Sequence, residues 1–409
     1  MGQRELIPHL FRTEYRKIVS VLCTRFGFEH METAEDIASE TFLAAVQTWP
    51  LDGLPPHPVA WLYHVAKNKA RNYLQREAVF KGKIAVELKN ARVEAEGEID
   101  LSAANIEDSQ LRMMFAICHP SIPAEAQIGL SLRILCGFGI EEIAEAFLTN
   151  KETINKRLYR AREKLREEKV NILLLNSQEV GSRLPAVLTA IYLLFTEGYY
   201  SAARDARKEL CLEAMRLCRM LIDYPLTDQP AVNALLALMC FHASRLGARV
   251  DQQGGLVLYS DQDVNRWDVG LISEGGYFLR RSANGAVLSK YHLEANIAYW
   301  NCLKEDTSEK WENILQLYNH LLQLEYSPVA ALNRTYALAR VKGKEEALVE
   351  ALKLKLTGNP YYFALLGELY TGIDDGKAVA SYEQAMLLAK TEADRLALKK
   401  KAELRSNFI

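Results

Sequence analysis

The stretch from Ile140 to Leu165 constrains the fold more than any other part of the chain. Apolar residues recur at helical spacing on both sides of the short connection Leu148-Thr149-Asn150, so two helices can bury one face each against one another. The facing positions are Ile140, Ile143, Ala144 and Phe147 on the first helix and Ile154, Leu158, Ala161 and Leu165 on the second. This pattern predicts a helix-turn-helix, whose second helix can enter a major groove.

The polar face of that second helix carries the residue types that a groove contact needs. Cations can neutralise phosphates, and amide or hydroxyl groups can hydrogen-bond to base edges. The residues that lie off the apolar stripe are Lys151, Thr153, Asn155, Lys156, Arg157 and Arg160. An ordinary pair of solvated helices can show the same charge pattern, so a second observation has to decide between the two interpretations.

A second basic helix, predicted from Trp61 to Arg76, supplies that observation. Its cations can follow the phosphates of a single strand, its amides can hydrogen-bond to the strand, and its aromatic rings offer stacking faces for bases. The candidate DNA-binding residues are Trp61, Lys67, Asn68, Arg71, Asn72 and Arg76. Because aromatic residues at helical spacing usually belong to a core, we expect Trp61 and one nearby tyrosine to be buried.

An acidic pair precedes this basic helix. Asp36 and Glu40 share a helix face at a spacing of four residues, and like charges without a cationic neighbour favour an external basic partner. Paired carboxylates can also perform acid-base catalysis. No nucleophile, glycine-rich phosphate loop or metal-ligand set accompanies this pair, so we expect no enzyme activity, no catalytic residue, no cofactor and no metal.

The composition is that of a globular protein of two or three domains. The net charge of -2 over 409 residues does not exclude a nucleic-acid partner, because only the local distribution of charge matters for a groove contact. Seven scattered cysteines form no CxxC pair, so we expect reduced core residues. We find no signal-peptide pattern and no apolar run long enough to cross a bilayer, so we expect a cytoplasmic location without membrane contact.

Periodicity along the chain predicts an all-α protein with three modules and one linker. The predicted modules are a helical domain at 1–80, a linker at 81–122, a helix-turn-helix domain at 123–170 and a helical-repeat domain at 171–409. Within the last module, Pro328–Lys355 and Pro360–Lys390 share a proline start, a tyrosine-rich first helix, a glycine turn and an alanine-rich second helix. Their offset is close to the tetratricopeptide period of ~34 residues.

Three segments together resemble a known protein family. Glu35 to Phe42 resembles region 2.2 of bacterial sigma factors, the surface that grips the clamp helices of RNA polymerase. Ala60-Trp61-Leu62, followed by Ala66 and Asn68, resembles the signature of regions 2.3 and 2.4, which melt and read the minus-10 promoter element. The helix-turn-helix resembles region 4, which reads the minus-35 element. Its ending R-A-R-E-K-L is typical of extracytoplasmic-function sigma factors.

The resemblance implies a function and a set of partners. A sigma factor recruits core RNA polymerase to specific promoters and initiates transcription, and it contacts the β-prime clamp helices, the β flap and promoter DNA. The residues implied in core binding are Asp36, Glu40 and Phe42. The basic helix from Trp61 to Arg76 is then the minus-10 reader, and the second helix of the helix-turn-helix is the minus-35 reader.

The C-terminal part carries a further resemblance. Residues Leu258 to Asp268 are similar to a motif of the sigma subfamily that has a tetratricopeptide-like C-terminal domain, which implies a regulatory loop. The residues of this loop are Asp261, Asp263, Trp267 and Asp268. Carboxylates at such spacing could hold magnesium or calcium, but a polar turn with Trp267 packed beneath it accounts better for so few ligands. We expect the loop to contact the sigma domains or, alternatively, an unknown protein partner.

Two other classes of function remain open at this point. A helix-turn-helix transcriptional regulator, with a repeat domain that senses a ligand or a protein, explains residues 123–409 equally well. A plain repeat scaffold would need neither basic helix. The discriminating feature is the N-terminal domain, because only a sigma factor needs both the acidic pair and the basic helix from Trp61 to Arg76. The sequence Thr149-Asn150-Lys151 departs from the expected start of the recognition helix, which leaves the promoter preference open.

Overall fold

The computed structural model describes residues 3–85, 99–147, 149–170, 172, 176–200, 204–249, 257, 262–285, 287–303, 305–389 and 392–406. These residues contain helices and no β-strand, so the all-α prediction is confirmed for them. They form two compact units, Met1–Thr227 and Asp228–Ile409. The helices of the first unit are α1 (Gln3–Phe26), α2 (Met31–Asp52), α3 (Pro58–Ala85), α4 (Ala103–Ile117), α5 (Ala124–Leu130), α6 (Ile140–Ala146), α7 (Lys151–Glu167), α8 (Ser177–Tyr200) and α9 (Arg204–Asp223).

A bundle of α1, α2 and α3 forms the first part of this unit. Its core is aromatic at one end, where Phe11 stacks on Tyr15 at a centroid distance of 4.7 Å and meets Phe42 edge-on at 5.1 Å. Glycines end the first two helices because each connection needs a positive φ, which is 91° at Gly27 and 87° at Gly53. These turns bring the acidic helix α2 and the basic helix α3 side by side.

The predicted helix-turn-helix is present as α6 and α7. Ile143, Ile154, Leu158 and Leu165 are buried, as the apolar spacing predicts, whereas Phe147 is only partly buried. Helix α5 precedes the pair and continues into one π-helical turn, Ser131–Leu135. The helix-turn-helix therefore packs on a third helical segment, which fixes the direction in which α7 presents its polar face.

Helix α4 occupies a stretch in which the sequence shows no regular periodicity. Ser102 caps its N-terminus by accepting a hydrogen bond from the backbone nitrogen of Asn105, and Met113, Met114 and Phe115 are fully buried. Helices α8 and α9 pack against each other, and both contact α4. The residues after 176 thus contribute two helices to the same compact unit as the helix-turn-helix, although the sequence assigns them to the C-terminal module.

The second unit is a succession of packed helices. They are α10 (Pro230–Ala243), α11 (Val269–Ser282), α12 (Lys290–Trp300), α13 (Ser308–Leu324), α14 (Pro328–Lys342), α15 (Lys344–Leu354), α16 (Pro360–Tyr370), α17 (Asp375–Leu388) and α18 (Glu392–Ser406). Consecutive helices from α12 to α18 contact one another. Gly343 and Gly372, with φ of 93° and 81°, provide the predicted glycine turns within the pairs α14/α15 and α16/α17.

The cysteines and the most apolar helix both lie in the interior of the fold. All seven cysteines are buried and free, as expected for reduced core residues. Among the described residues, Pro230–Ala248 is long and apolar enough to cross a membrane, but 78% of this stretch is buried inside the protein. It has the burial of a core helix.

The pair α16/α17 depends on a close approach that only glycine allows. A Cβ atom on Gly367 would lie 2.7 Å from the ring of the buried residue Tyr382. We therefore expect Gly367→Ala to destabilise this pair by ~1–3 kcal/mol, the cost of overpacking a core. Hydrogen exchange of α16 and α17 measures the effect, and Gly358→Ala, which has nothing within 4 Å of its added Cβ, is the control. Equal protection in both variants would contradict the close packing.

Candidate functional site

Helix α7 begins at Lys151 because Asn150 caps it. The Asn150 side chain accepts a hydrogen bond from the backbone nitrogen of Thr153 at 2.8 Å, so the unexpected Thr-Asn-Lys sequence has a structural role at the helix start. The apolar stripe of α7 faces inward, and the opposite side is exposed. The exposed predicted site residues are Lys151, Thr153, Asn155, Lys156 and Arg160.

Two basic residues of α7 are partly engaged within the protein. Arg157 forms an ion pair with Glu125 at 3.1 Å and lies over the ring of Phe147 at 5.3 Å from its centroid. Lys151 donates a hydrogen bond to Glu141 at 2.7 Å, and this hydrogen bond holds the pKa of Glu141 below its ordinary value. Arg157 is thus less available to DNA than its sequence position suggests.

Tyr159 is an exposed aromatic residue on α7 that the sequence analysis did not select. Its side chain is 59% exposed and lies next in sequence to Arg160. A tyrosine hydroxyl can hydrogen-bond to a phosphate, and its ring can contact a base. The sequence could have indicated this residue, because Tyr159 lies off the apolar stripe of α7.

Helix α3 buries one side and holds its aromatic residues at the margin of the core. Leu62 and Ala66 are fully buried, whereas Trp61 is only partly buried, so the expected burial of Trp61 is wrong. Trp61 packs edge-on against the buried Trp49 at 5.4 Å. The hydroxyl of Tyr63 donates to Glu14 at 2.6 Å, and burial together with this hydrogen bond raises the pKa of Tyr63. Part of the Trp61 side chain thus stays exposed.

The outer face of α3 presents a chain of polar groups. Arg71 donates to the Asn68 side-chain oxygen at 2.8 Å, and the Asn68 amide lies 2.9 Å from the ring nitrogen of His64. Asn72 and Arg76 are exposed beside them. Of the other predicted residues, Lys67 is partly buried. The structure brings together on one helix face the amides and cations that the sequence selected.

The acidic pair on α2 has a cation near it, contrary to the sequence-based premise. Asp36 and Glu40 are both exposed, but Glu40 forms an ion pair with Lys69 of α3 at 2.7 Å. This contact depends on the packing of α2 against α3, so the sequence did not reveal it. Because Lys69 already compensates its charge, Glu40 supports an external basic partner less than the sequence suggested. The exposed carboxylate of Asp36 still supports such a partner.

The residues next to the acidic pair differ from the prediction. Phe42 is 3% exposed and packs in the aromatic core between α1 and α2. Its side chain therefore does not lie on the surface where the prediction placed a contact with core polymerase. Leu43 and Val46, with exposed fractions of 53% and 50%, lie on the outside of the same helix. Exposed apolar residues beside acidic ones are typical of a surface that a partner covers. The helical spacing of the sequence could have indicated this surface, because Leu43 and Val46 both lie off the buried apolar stripe of α2.

Glu35 is a buried carboxylate that sequence reasoning passed over. It forms ion pairs with Arg133 at 3.0 Å and with Arg162 of α7 at 2.8 Å, and all three side chains are mostly buried. Arg133 also lies over the ring of Tyr15, whose pKa burial raises to about 12. The helix-turn-helix is thereby tied to α2 directly.

Two aspartates of the predicted regulatory loop, Asp263 and Asp268, cap helices. Asp263 accepts a hydrogen bond from the backbone nitrogen of Asn265 at 3.0 Å, and Asp268 accepts one from Leu271 at 3.0 Å. Trp267 is 7% exposed, as the polar-turn interpretation expects. Asp261 lies outside the described residues. Among the residues that the structure describes, no group of three or more His, Cys, Asp or Glu side chains could hold a metal ion.

Comparison with protein families matches three parts of the chain. Sigma-70 region 2 matches residues 10–79, and sigma-70 region 4 matches residues 118–165. A family of unknown function, DUF6596, matches residues 183–283. The two sigma regions cover α1 to α3 and α5 to α7, the helices that carry the acidic and basic faces described above.

Two curated proteins are similar to the chain. Uncharacterized protein R00370 of Rhizobium meliloti (strain 1021) is 32% identical over 376 residues, which are 90% of this chain and 88% of that protein. The ECF RNA polymerase sigma-E factor of Haemophilus influenzae is 28% identical over 171 residues, which are 41% of this chain and 88% of that protein. No solved structure matches the chain.

The chain therefore belongs to the sigma-70 family of RNA polymerase sigma factors, in its extracytoplasmic-function group. The sigma regions imply binding to core RNA polymerase and to promoter DNA, and sigma factors are non-enzymatic initiation factors. The match to R00370 extends over the C-terminal part as well, so that relative shares the long extension beyond region 4.

The different environments of Arg160 and Arg157 generate a prediction. Replacing the exposed Arg160 by Ala should lower the slope of log affinity against log salt by about 0.9, the value for one lost phosphate contact. Arg157→Ala should change this slope less, because Glu125 and Phe147 already engage its guanidinium group. Anisotropy of a labelled upstream promoter duplex with the polymerase complex, measured across salt concentrations, gives both slopes. Equal changes would show that Arg157 leaves Glu125 to bind DNA.

Proposed function

We propose that this sigma factor docks on core polymerase through the exposed face of α2. The face carries Asp36 and Glu40 and, within about three helical turns of Asp36, Leu43 and Val46. Positions 36, 40 and 43 are spaced by four and three residues, so their side chains lie on one side of the helix. An acidic and apolar strip favours a partner with basic and apolar groups, and the β-prime clamp helices are the expected partner.

We assign the minus-10 element to the outer face of α3. The polar chain of His64, Asn68 and Arg71 supports this assignment, because amides and cations at hydrogen-bonding distance can hold the phosphates and base edges of one strand. The partly exposed ring of Trp61, fixed edge-on by Trp49, can stack on a base that leaves the duplex. Capture of unstacked bases stabilises the opened promoter. The polymerase itself makes the RNA.

We assign the minus-35 element to the exposed face of α7, with region 4 also contacting the β flap. Lys156 and Arg160 can neutralise phosphates and fix the register of the helix, while Asn155 and Thr153 can read base edges. The Asn150 cap supports this role because it fixes the first turn, where a recognition helix contacts the bases. Tyr159 adds a hydroxyl to the same face.

One observation carries the proposal as a whole. Helices α3 and α7 each bury an apolar side and expose cations and amides, and the acidic helix α2 exposes a strip of a different chemistry. A conventional helix-turn-helix regulator explains α7 alone. Two DNA-facing helices together with a separate protein-facing helix are what promoter recognition by a polymerase complex needs, and a cytoplasmic location accords with that role.

We propose a regulatory role for the second unit, Asp228–Ile409. Its helix pairs expose several tyrosines, and repeats of helix pairs form extended surfaces for protein partners. The exposed tyrosines of this unit are Tyr277, Tyr326, Tyr336 and Tyr361. The turn around Trp267 is held by the Asp263 and Asp268 caps, which makes it a preformed docking point for the sigma domains or for an outside protein.

The docking face on α2 leads to a prediction for core binding. Asp36→Lys should weaken binding of core polymerase about tenfold, or ~1.4 kcal/mol, and more strongly at low salt because interfacial charge pairs are screened. Leu43→Ser should weaken it with little dependence on salt, since it removes apolar contact. A titration of labelled sigma factor with core polymerase at two salt concentrations measures both effects.

Asp52→Lys is the matched control for this titration. It is the same charge reversal at an exposed position of α2, roughly 160° around the helix from Asp36 at 100° per residue. Its affinity for core polymerase should equal that of the unchanged protein. If Asp36→Lys and Leu43→Ser both retain full affinity, α2 does not dock through this face.

The polar chain on α3 leads to a prediction for promoter opening. Replacing Asn68 and Arg71 by Ala removes two groups that would hold the opened strand, so the open fraction should fall about tenfold at equal duplex affinity. Permanganate reactivity of unpaired thymines measures opening, and binding to the intact upstream duplex by the same complexes is the internal control. Undiminished thymine reactivity would show that these two residues of α3 do not take part in promoter opening.

A further inference from the structure

Region 2 and region 4 are joined by buried ion pairs. Glu35 in region 2 receives the guanidinium groups of Arg133 and Arg162, both in region 4, at 3.0 and 2.8 Å. The loop at Gly137 of region 4 also approaches α1 so closely that an added Cβ would lie 3.2 Å from the backbone oxygen of Arg12. Because a buried carboxylate needs compensating cations, Glu35 holds the two regions together wherever these contacts form.

Helix α9, which follows both sigma regions in the chain, strengthens this junction. Its residues Glu209, Glu213 and Arg216 are spaced by four and three positions and therefore lie on one face. Glu209 forms an ion pair with Arg12 at 2.5 Å, and Glu213 forms one with Arg16 at 2.6 Å. Both arginines belong to α1, so the acidic residues of α9 bind region 2.

The third residue of this face contacts region 4. Arg216 donates a hydrogen bond to the backbone oxygen of Leu135 at 2.7 Å and forms an ion pair with Glu213 at 2.8 Å. Burial by itself raises the pKa of Glu213, but Arg216 and Arg16 outweigh burial and hold this pKa below its ordinary value. Arg12 closes the network, because it also reaches Glu142 of α6 at 3.1 Å.

We propose that α9 acts as an intramolecular clasp that holds region 2 against region 4 and keeps the sigma factor in a closed, promoter-incompetent arrangement. The proposal rests on the proposed promoter function of α3 and α7. In the closed arrangement Arg162 of the recognition helix is engaged by Glu35 of α2, the helix that docks on polymerase. Docking on polymerase and promoter must then release the clasp.

Distances decide that the closed arrangement cannot occupy a promoter. The minus-10 and minus-35 elements are about 25 base pairs apart, which is roughly 85 Å of duplex at ~3.4 Å per pair. A compact unit of the length Met1–Thr227 has a radius of gyration of about 17 Å, or a width of roughly 45 Å. Regions 2 and 4 must therefore separate before both elements are bound.

The clasp is tested by charge reversal and rescue. Glu213→Lys places a cation between Arg16 and Arg216 and should open the junction, and adding Arg16→Glu should restore it. Spin labels at Gln75→Cys on α3 and Glu167→Cys on α7 report the distance between the two regions. Both positions are exposed, whereas the seven native cysteines are buried and will not take the label.

We expect a predominant short distance in the unchanged protein, a longer and broader distribution in Glu213→Lys, and the predominant short distance again in the rescued double variant. Core polymerase is expected to bind α2 and, at the β flap, region 4, and only the open form presents both together. Apparent affinity for core polymerase should therefore rise about tenfold in Glu213→Lys, if one molecule in about ten is open beforehand, since binding is weakened by the fraction that is competent. Asp223→Lys, the same charge reversal at an exposed position near the end of α9, should change neither quantity.

A second variant covers the case in which Glu213→Lys does not fold. Glu209→Lys alters a side chain that is 42% exposed and should lengthen the distance in the same direction by a smaller amount. Unchanged distances in the folded charge-reversal variants would overturn the clasp. A longer distance without tighter core binding would overturn its inhibitory role. Absence of core binding by all variants would contradict the proposed function instead, while the distances would still decide the clasp.

Discussion

The burial of Glu35 between Arg133 and Arg162 is the interaction on which the arrangement of the first unit depends. Removing one partner of a buried ion pair costs ~3–5 kcal/mol, because the remaining charge is left without compensation in an apolar surrounding. The carboxylate thus contributes, together with the contacts of α9, to holding two regions with separate tasks in one compact unit.

The same physical rule produces the functional faces. Helices α2, α3 and α7 each bury one apolar stripe, and the opposite side of each is left to water or to a partner. On α3 and α7 this exposed side is rich in cations and amides. On α2 it carries the acidic residues Asp36 and Glu40, followed along the helix by the apolar residues Leu43 and Val46. Intramolecular ion pairs such as Glu40–Lys69 and Arg157–Glu125 partly neutralise these faces, and their exposed geometry makes them weak enough to exchange for contacts with a partner.

Local patterns in the sequence predicted what depends on local structure. The spacing of Ile143, Ile154 and Leu158 was sufficient for the helix-turn-helix, and the glycines at 343 and 372 for the repeat turns. The contacts of Glu35 could not be predicted in this way, because Arg133 is 98 residues away and only the packing brings it near. For the same reason the sequence placed Phe42 on the surface and Trp61 in the core.

The measurement that tests the account most directly is transcription from fragmented genomic DNA of the source organism by core polymerase, with and without this chain, followed by mapping of RNA 5′ ends. The account predicts new, discrete start sites that appear only with the chain and share sequence elements near minus 10 and minus 35. Start sites that are the same with and without the chain, together with its binding to operator DNA in the absence of polymerase, would contradict the account and would identify a conventional helix-turn-helix regulator.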